Sequence, residues 1–130
     1  MVGRTFTSTE AAARAGLSVR QLDHWARVGS VIRPRLSHEQ GSGHYRTWTA
    51  DEVRVLAVLR RLADAKAPLL VLRRAAQALI TAEVHDTDTR WLAVSDRRSA
   101  VVGLDGLAGV RGWATWYVPL SGARAARAGG

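Results

Sequence analysis

Apolar positions between Phe6 and Val28 fall into two short helical registers with a break between them, in FTSTEAAARAGLSVRQLDHWARV. Thr7 followed by Glu10 has the spacing of a capping box, and Phe6 stands before it as a staple residue. Ala11, Ala12, Ala13 and Ala15 favour helix, because alanine has almost no side-chain entropy to lose. Gly16 follows where a helix end wants a left-handed residue. Ser18 and Gln21 repeat the capping-box spacing. The pattern predicts one helix over about Ser8–Ala15 and a second over about Val19–Val28, with Gly29 as the stop. In the second helix Val19, Leu22, Trp25 or Ala26, and Val28 share a face that should meet helix 1 and the core. Arg20, Gln21, Asp23, His24 and Arg27 make the opposite face. A helix that stops at Gly and restarts at a Ser cap is a helix-turn-helix, a unit whose second helix can enter a DNA groove.

The texture changes over 31–48. Val31-Ile32 and Tyr45 to Trp48 read as two short strands around Pro34, Gly41, Ser42 and Gly43, which oppose helix. Arg33, Arg35, His38, His44 and Arg46 make this segment cationic, so it reads as a basic wing whose arginines reach phosphates. Thr49 and Glu52 open a third capping box and a helix over about Ala50–Ala65. Val53, Leu56, Leu59 and Leu62 give that helix one apolar face, and Val55 with Val58 a second strip that something else should cover. After Pro68 a fourth helix is predicted over Leu69–Thr81. Leu69, Leu72, Ala76 and Leu79 or Ile80 point inward, and Arg73, Arg74 and Gln77 outward.

From Glu83 the chain is polar and acidic (EVHDTD), which reads as a linker over 83–89. Then Arg90–Ser95, Ser99–Leu104 and Trp113–Leu120 alternate with turns, as three strands of a small antiparallel meander. Residues 121–130 and 1–5 read as disordered ends. The expected organisation is α+β: a winged helix-turn-helix with four helices at 4–82, the linker, and a β appendage at 90–120. Trp91, Trp113, Trp116 and Tyr117 fit two roles, a core between that sheet and helix 3 or 4, or an exposed aromatic surface for a partner.

Charge sharpens the first half. The net charge is +8, and residues 1–80 hold 13 Lys and Arg against 6 Asp and Glu, whereas 81–130 hold 6 against 5. Basicity concentrated on the helix-turn-helix half fits a polyanion-binding face. Arginine supplies 18 of the 19 cations, a bias that a GC-rich genome would explain without explaining the asymmetry. The chain has no cysteine, which excludes disulfides, thiol nucleophiles and Cys-based zinc sites. No secretory leader is evident, and the longest apolar run, Ala67–Leu72, is far short of the ~20 residues of a spanning helix. His24, His38, His44 and His85 lack metal-ligand spacing. Glu10 and Glu52 are capping residues, Ser8, Ser18 and Ser42 have no His-Asp arrangement, and no glycine loop matches a P-loop or Rossmann fingerprint. Neither an enzyme, a cofactor, a metal nor a small-molecule effector is indicated.

Four features in fixed order resemble the DNA-binding domain of MerR-family regulators over the first ~80 residues. They are FTSTEAAARAGLSVRQL, the HWARVG end of helix 2, HYRTWTADEV at the end of the wing, and the helix pair joined through AKAPLLVLR. The resemblance implies a cytoplasmic, nucleoid-associated protein of bacterial or phage type that binds double-stranded DNA. Helix 2 (18–28) would be its recognition helix in the major groove and the wing (31–48) would lie on the backbone. Arg20 matches the family's helix-2 Arg, His24 stands where a DNA-contacting Tyr is common, and Arg46 matches the wing Arg. With Ser18, Gln21, Arg27, Arg33, Arg35, His44 and Tyr45 these are the candidate DNA-binding residues. For His24 a surface or cap role is equally open, as is packing for Tyr45.

Departures from the family are also legible. Asp23 replaces a common Arg, where it can accept from a cytosine amino group or orient Arg20 or Arg27. Ala26 replaces a common Glu, and EVHDTD interrupts helix 4 where the family continues into a coiled-coil dimer helix. Self-association would therefore run through the C-terminal sheet or helices 3 and 4. Two rivals to a transcription regulator are an architectural, excisionase-like factor of a mobile element and a protein-interaction adaptor working through the C-terminal sheet.

Overall fold

Helix α3 (Ala50–Asp64) is the element on which the rest is assembled. Its capping box closes in both directions between Thr49 and Glu52, and both of its apolar strips are buried. In this computed structural model, residues 5–28, 31–34, 38–40, 43–85, 87–121 and 126–127 are described. Helices α1 (Ser8–Ala15) and α4 (Leu69–Thr81) both pack on α3. The chain ahead of α1 is not a loose start: Thr5–Phe6 (β1) pairs with Trp48–Thr49 (β4), so the end of the wing is stitched to the beginning of the head. Between them, His38–Gln40 (β2) and Gly43–Tyr45 (β3) form the antiparallel wing hairpin. Val31 and Ile32, expected as a strand, instead bury their side chains in the core.

The C-terminal strands are β5 (Trp91–Val94), β6 (Ser99–Val102), β7 (Trp116–Pro119) and β8 (Ala126–Arg127). All pairings are antiparallel, but the order is β6-β5-β7-β8, so the first strand in sequence is central and the sheet departs from a simple meander. The reason is visible in β5 itself. WLAV is apolar without alternation, which suits a strand covered on both faces. Leu92, Val94, Trp116, Val118 and Leu120 join the same core as α3 and α4. Ala93 faces the other way, under Val110 and Ala114 of the crossover that contains the short helix α5 (Leu107–Val110). Of the two roles open to the aromatic residues, Trp116 takes the core one: it is buried, and its Nε1 donates to the Ala65 carbonyl at 3.3 Å. Trp113 lies beneath the Arg98 guanidinium, 4.5 Å from ring centre to charge.

Two segments expected to be irregular are structured. Ala126–Arg127, in the stretch read as a disordered tail, pairs with Trp116 and Tyr117. The 83–89 stretch read as a linker contains a clasp. Asp88 is 1% exposed, and Arg90 donates to both its oxygens, from Nε at 2.9 Å and Nη2 at 2.7 Å. The same Nη2 donates to the Ala82 carbonyl at 2.8 Å, capping the end of α4 and turning the chain into β5.

Candidate nucleic-acid interface

The turn of the helix-turn-helix is set by backbone groups. Gly16 takes φ +79°, and the Gly16 and Leu17 amides fold back onto the Ala13 and Ala12 carbonyls. A Cβ at Gly16 would approach only the half-exposed Arg60 side chain, which can shift, so it is the left-handed conformation that calls for glycine. Helix α2 (Val19–Asp23) starts at Ser18, whose Oγ accepts from the Gln21 amide at 3.0 Å. Its last turn widens into a π turn over His24–Val28, which ends where the Val31 amide donates to the Trp25 carbonyl. Leu22, Trp25 and Ala26 are all buried and hold the helix to the core. Its N-terminal and outer residues are left to solvent.

Six of those outer residues are exposed together: Ser18, Val19, Arg20, Gln21, His24 and Arg27. Val19 corrects the sequence reading. It was expected to face the core and is instead 46% exposed, because it occupies the first turn, before the helix has reached its neighbours. An apolar group beside Arg20 and Gln21 at a helix N-terminus adds a surface that can meet a thymine methyl. Helical periodicity alone did not reveal it; the signal was its place directly after the cap. Leu69, at the first turn of α4, is exposed for the same reason.

Arg46 is brought to this helix through an acid. Its Nη1 donates to Asp23 Oδ1 at 2.9 Å, and Arg27 Nη2 lies 3.2 Å from Asp23 Oδ2. Asp23 is 39% exposed and the Arg46 side chain 15%. The hydrogen bond from Arg46, with the nearby Arg27 charge, holds the Asp23 carboxyl below its ordinary range, so it is an anion between two cations. The acid that sequence placed beside Arg27 thus also ties helix α2 to the end of the wing, a partner 23 residues away that local patterns do not show. Trp48 joins the end of the wing to α1 instead: it is fully buried, with Nε1 donating to Ser8 Oγ at 3.2 Å. Arg33 is exposed beyond the buried Ile32. His44 and Tyr45 lie on β3, directly before Arg46. Arg35 is outside the described residues. Among the described residues no three His, Asp or Glu side chains converge as metal ligands.

A capped two-helix unit, a hairpin wing beside it and two following helices define a winged helix-turn-helix protein. Residues 6–79 match the model of the MerR HTH family of regulatory proteins, and the chain belongs to that family. It is 36% identical over 72 residues to proteins named uncharacterized HTH-type transcriptional regulators in Mycobacterium bovis and in two strains of Mycobacterium tuberculosis. The match covers 55% of this chain and 32% of each relative, so the chain spans about a third of the length of the relatives it matches.

Proposed function

We propose that the protein is a transcription regulator that binds double-stranded DNA by sequence, works on the bacterial nucleoid in the cytoplasm, and carries out no catalysis. The observation that supports this most directly is the exposed row Ser18, Val19, Arg20, Gln21, His24 and Arg27 on a helix whose opposite side is anchored by Leu22, Trp25 and Ala26. A rigidly seated helix with a polar, cationic N-terminal half is what major-groove reading requires. Arg20 and Gln21 reach base edges, Val19 meets thymine methyls, and Ser18 and Arg27 contact the backbone. The wing, through Arg33, Arg35, His44, Tyr45 and Arg46, lies on phosphates beside it. Family membership supports the same reading.

Selection of bound sites from random duplex, followed by affinity measurements across a salt series, tests it. Enrichment of one motif, with log affinity falling linearly as log salt rises, is expected. Arg20→Ala should lose about 1–3 kcal/mol on the selected site and relax it at one position. Arg46→Ala should weaken binding to every duplex alike. No enriched motif, or binding indifferent to salt, overturns the proposal and favours the protein-interaction adaptor. Strong bending with sites in tandem array favours the architectural factor.

A further inference from the structure

The β5–β6 hairpin closes with the Ser95 amide donating to the Arg98 carbonyl. Antiparallel pairs alternate between hydrogen-bonded and non-bonded positions. Counting from the closing pair, Ala100 and Val102 bond to Ala93 and Trp91 of β5, while the backbone groups of Ser99 and Val101 point away from the sheet. Among the described residues no strand lies on that side. Helix α4 lies beside it. Arg74 Nη1 donates to the Asp96 carbonyl at 2.6 Å, just ahead of β6. At the other end the Ala82 carbonyl accepts from Arg90, which precedes the Trp91 that faces Val102. Helix and strand therefore run the same way, and a groove of about 520 Å³ lies between them.

The groove has two unlike ends. Arg74 and Ser99 line it near the hairpin turn, and Ala78, Thr81 and Val101 farther along. Ser99 and Val101 face α4, because they sit opposite Val94 and Leu92, whose side chains are in the core. Among the described lining residues Arg74 alone is charged, and the partner of its exposed guanidinium is a neutral carbonyl. The Ser99 hydroxyl oxygen is buried at the same end with no hydrogen-bond partner. A cation without an acid, next to unused backbone groups, suits an added strand that carries its own carboxylate. Strand β6 itself, SAVV, has no acid, so a second copy of it would not supply one.

We propose that this edge binds an extended segment of another protein in which an apolar residue is followed, two positions later, by an acidic one. The segment adds to β6 as an antiparallel strand. Its apolar residue stands opposite Val101 and its acidic residue opposite Ser99. Both side chains enter the groove, since directly opposed residues share a face. The apolar side chain covers Ala78 and Val101. The carboxylate reaches Arg74, and the Ser99 side chain turns about χ1 to donate to it. Both residues also exchange backbone bonds with β6. The residue between them stands opposite Ala100, with its backbone groups directed away and its side chain on the other face, so its identity is free. Antiparallel addition puts the acid last; parallel addition would need the reverse order. None of the residues proposed to touch DNA takes part, so either reading can fail while the other stands.

The test uses the full chain and a fluorescent, threonine-rich peptide with blocked ends and a valine-threonine-glutamate core. Polarisation should rise to saturation. The peptide with glutamine for glutamate, and the one with valine and glutamate exchanged, should each bind at least about tenfold more weakly, the scale of one hydrogen bond to a charged group. N-methylation of the glutamate should abolish binding, whereas N-methylation of the central threonine should leave it nearly unchanged, because only the glutamate amide donates to β6. Arg74→Gln, an exposed substitution, should lose as much as the glutamine peptide does, and should lose little more when the two are combined. Failure of the parent peptide to saturate overturns the inference. So does equal binding of the exchanged peptide, which would reduce the contact to charge alone. Equal binding of the peptide methylated at glutamate overturns it too, since no strand would then be added.

Discussion

Asp23 and Asp88 are both held by arginines, yet they do opposite work. Asp23 lies at the surface between Arg27 and Arg46, on two elements far apart in sequence. Asp88 is sealed from solvent, gripped by an arginine two residues away, and the pair closes the end of α4. The Asp23–Arg27 pair is exposed on both sides, screened by water, and adds little to stability, whereas on the Arg46 side it is the cation that is mostly buried. A buried pair is costly to break, because one charge is left without its partner. The first pair therefore belongs to the surface proposed to meet DNA, and the second holds the fold.

Three experiments press on that contrast. Asp88→Ala should have the largest effect. It strips Arg90 of its carboxylate and loosens the Ala82 cap; since Arg90 is itself about a third exposed, a loss of about 2–3 kcal/mol is expected in denaturant unfolding. A loss no larger than that of an ordinary surface substitution would dissolve the distinction.

Acid comes next. Hydrogen bonds from Arg90 hold the Asp88 carboxyl at about 2, against 3.8 for an ordinary aspartate. A carboxyl with a depressed folded-state pKa stabilises above its unfolded value and loses that contribution as pH falls through the folded one. About 2 kcal/mol should therefore be present above pH ~4 and disappear between about pH 4 and pH 2. Comparing unfolding of the parent chain with Asp88→Asn across that window isolates it: the variant should lack this component of the acid transition.

Asp23→Asn should be the mildest for the fold and visible only at the surface. The melting temperature should fall by less than for Asp88→Ala, because Asn still offers an acceptor to the largely buried Arg46. Binding to random duplex should tighten several-fold, and its salt dependence should steepen, because an anion is removed and Arg27 and Arg46 are freed for phosphates. Weaker binding would mean instead that Asp23 earns its place by aiming the two arginines.

The helices were largely legible in advance because their signals are local. Thr7/Glu10 and Thr49/Glu52 mark two starts and close as full capping boxes. Helix α4 occupies Leu69–Thr81 as the apolar spacing predicted. Of the candidate interface, the exposed face of α2 could be read from periodicity, apart from Val19. Arg46's engagement with Asp23 could not, since nothing local links a wing residue to a helix 23 positions earlier.

By itself, then, the sequence determined where helices begin and stop, the capped helix-turn-helix, the concentration of positive charge in the first 80 residues, and the apolar runs that became β5, β6 and β7. These follow from interactions between residues a few positions apart. Tertiary structure alone decided the central place of β5, the burial of Val31 and Ile32 without strand pairing, and the junction of Asp23 with Arg46. Those outcomes depend on which distant surfaces meet, and a strand's backbone donors and acceptors are the same whichever neighbour it finds.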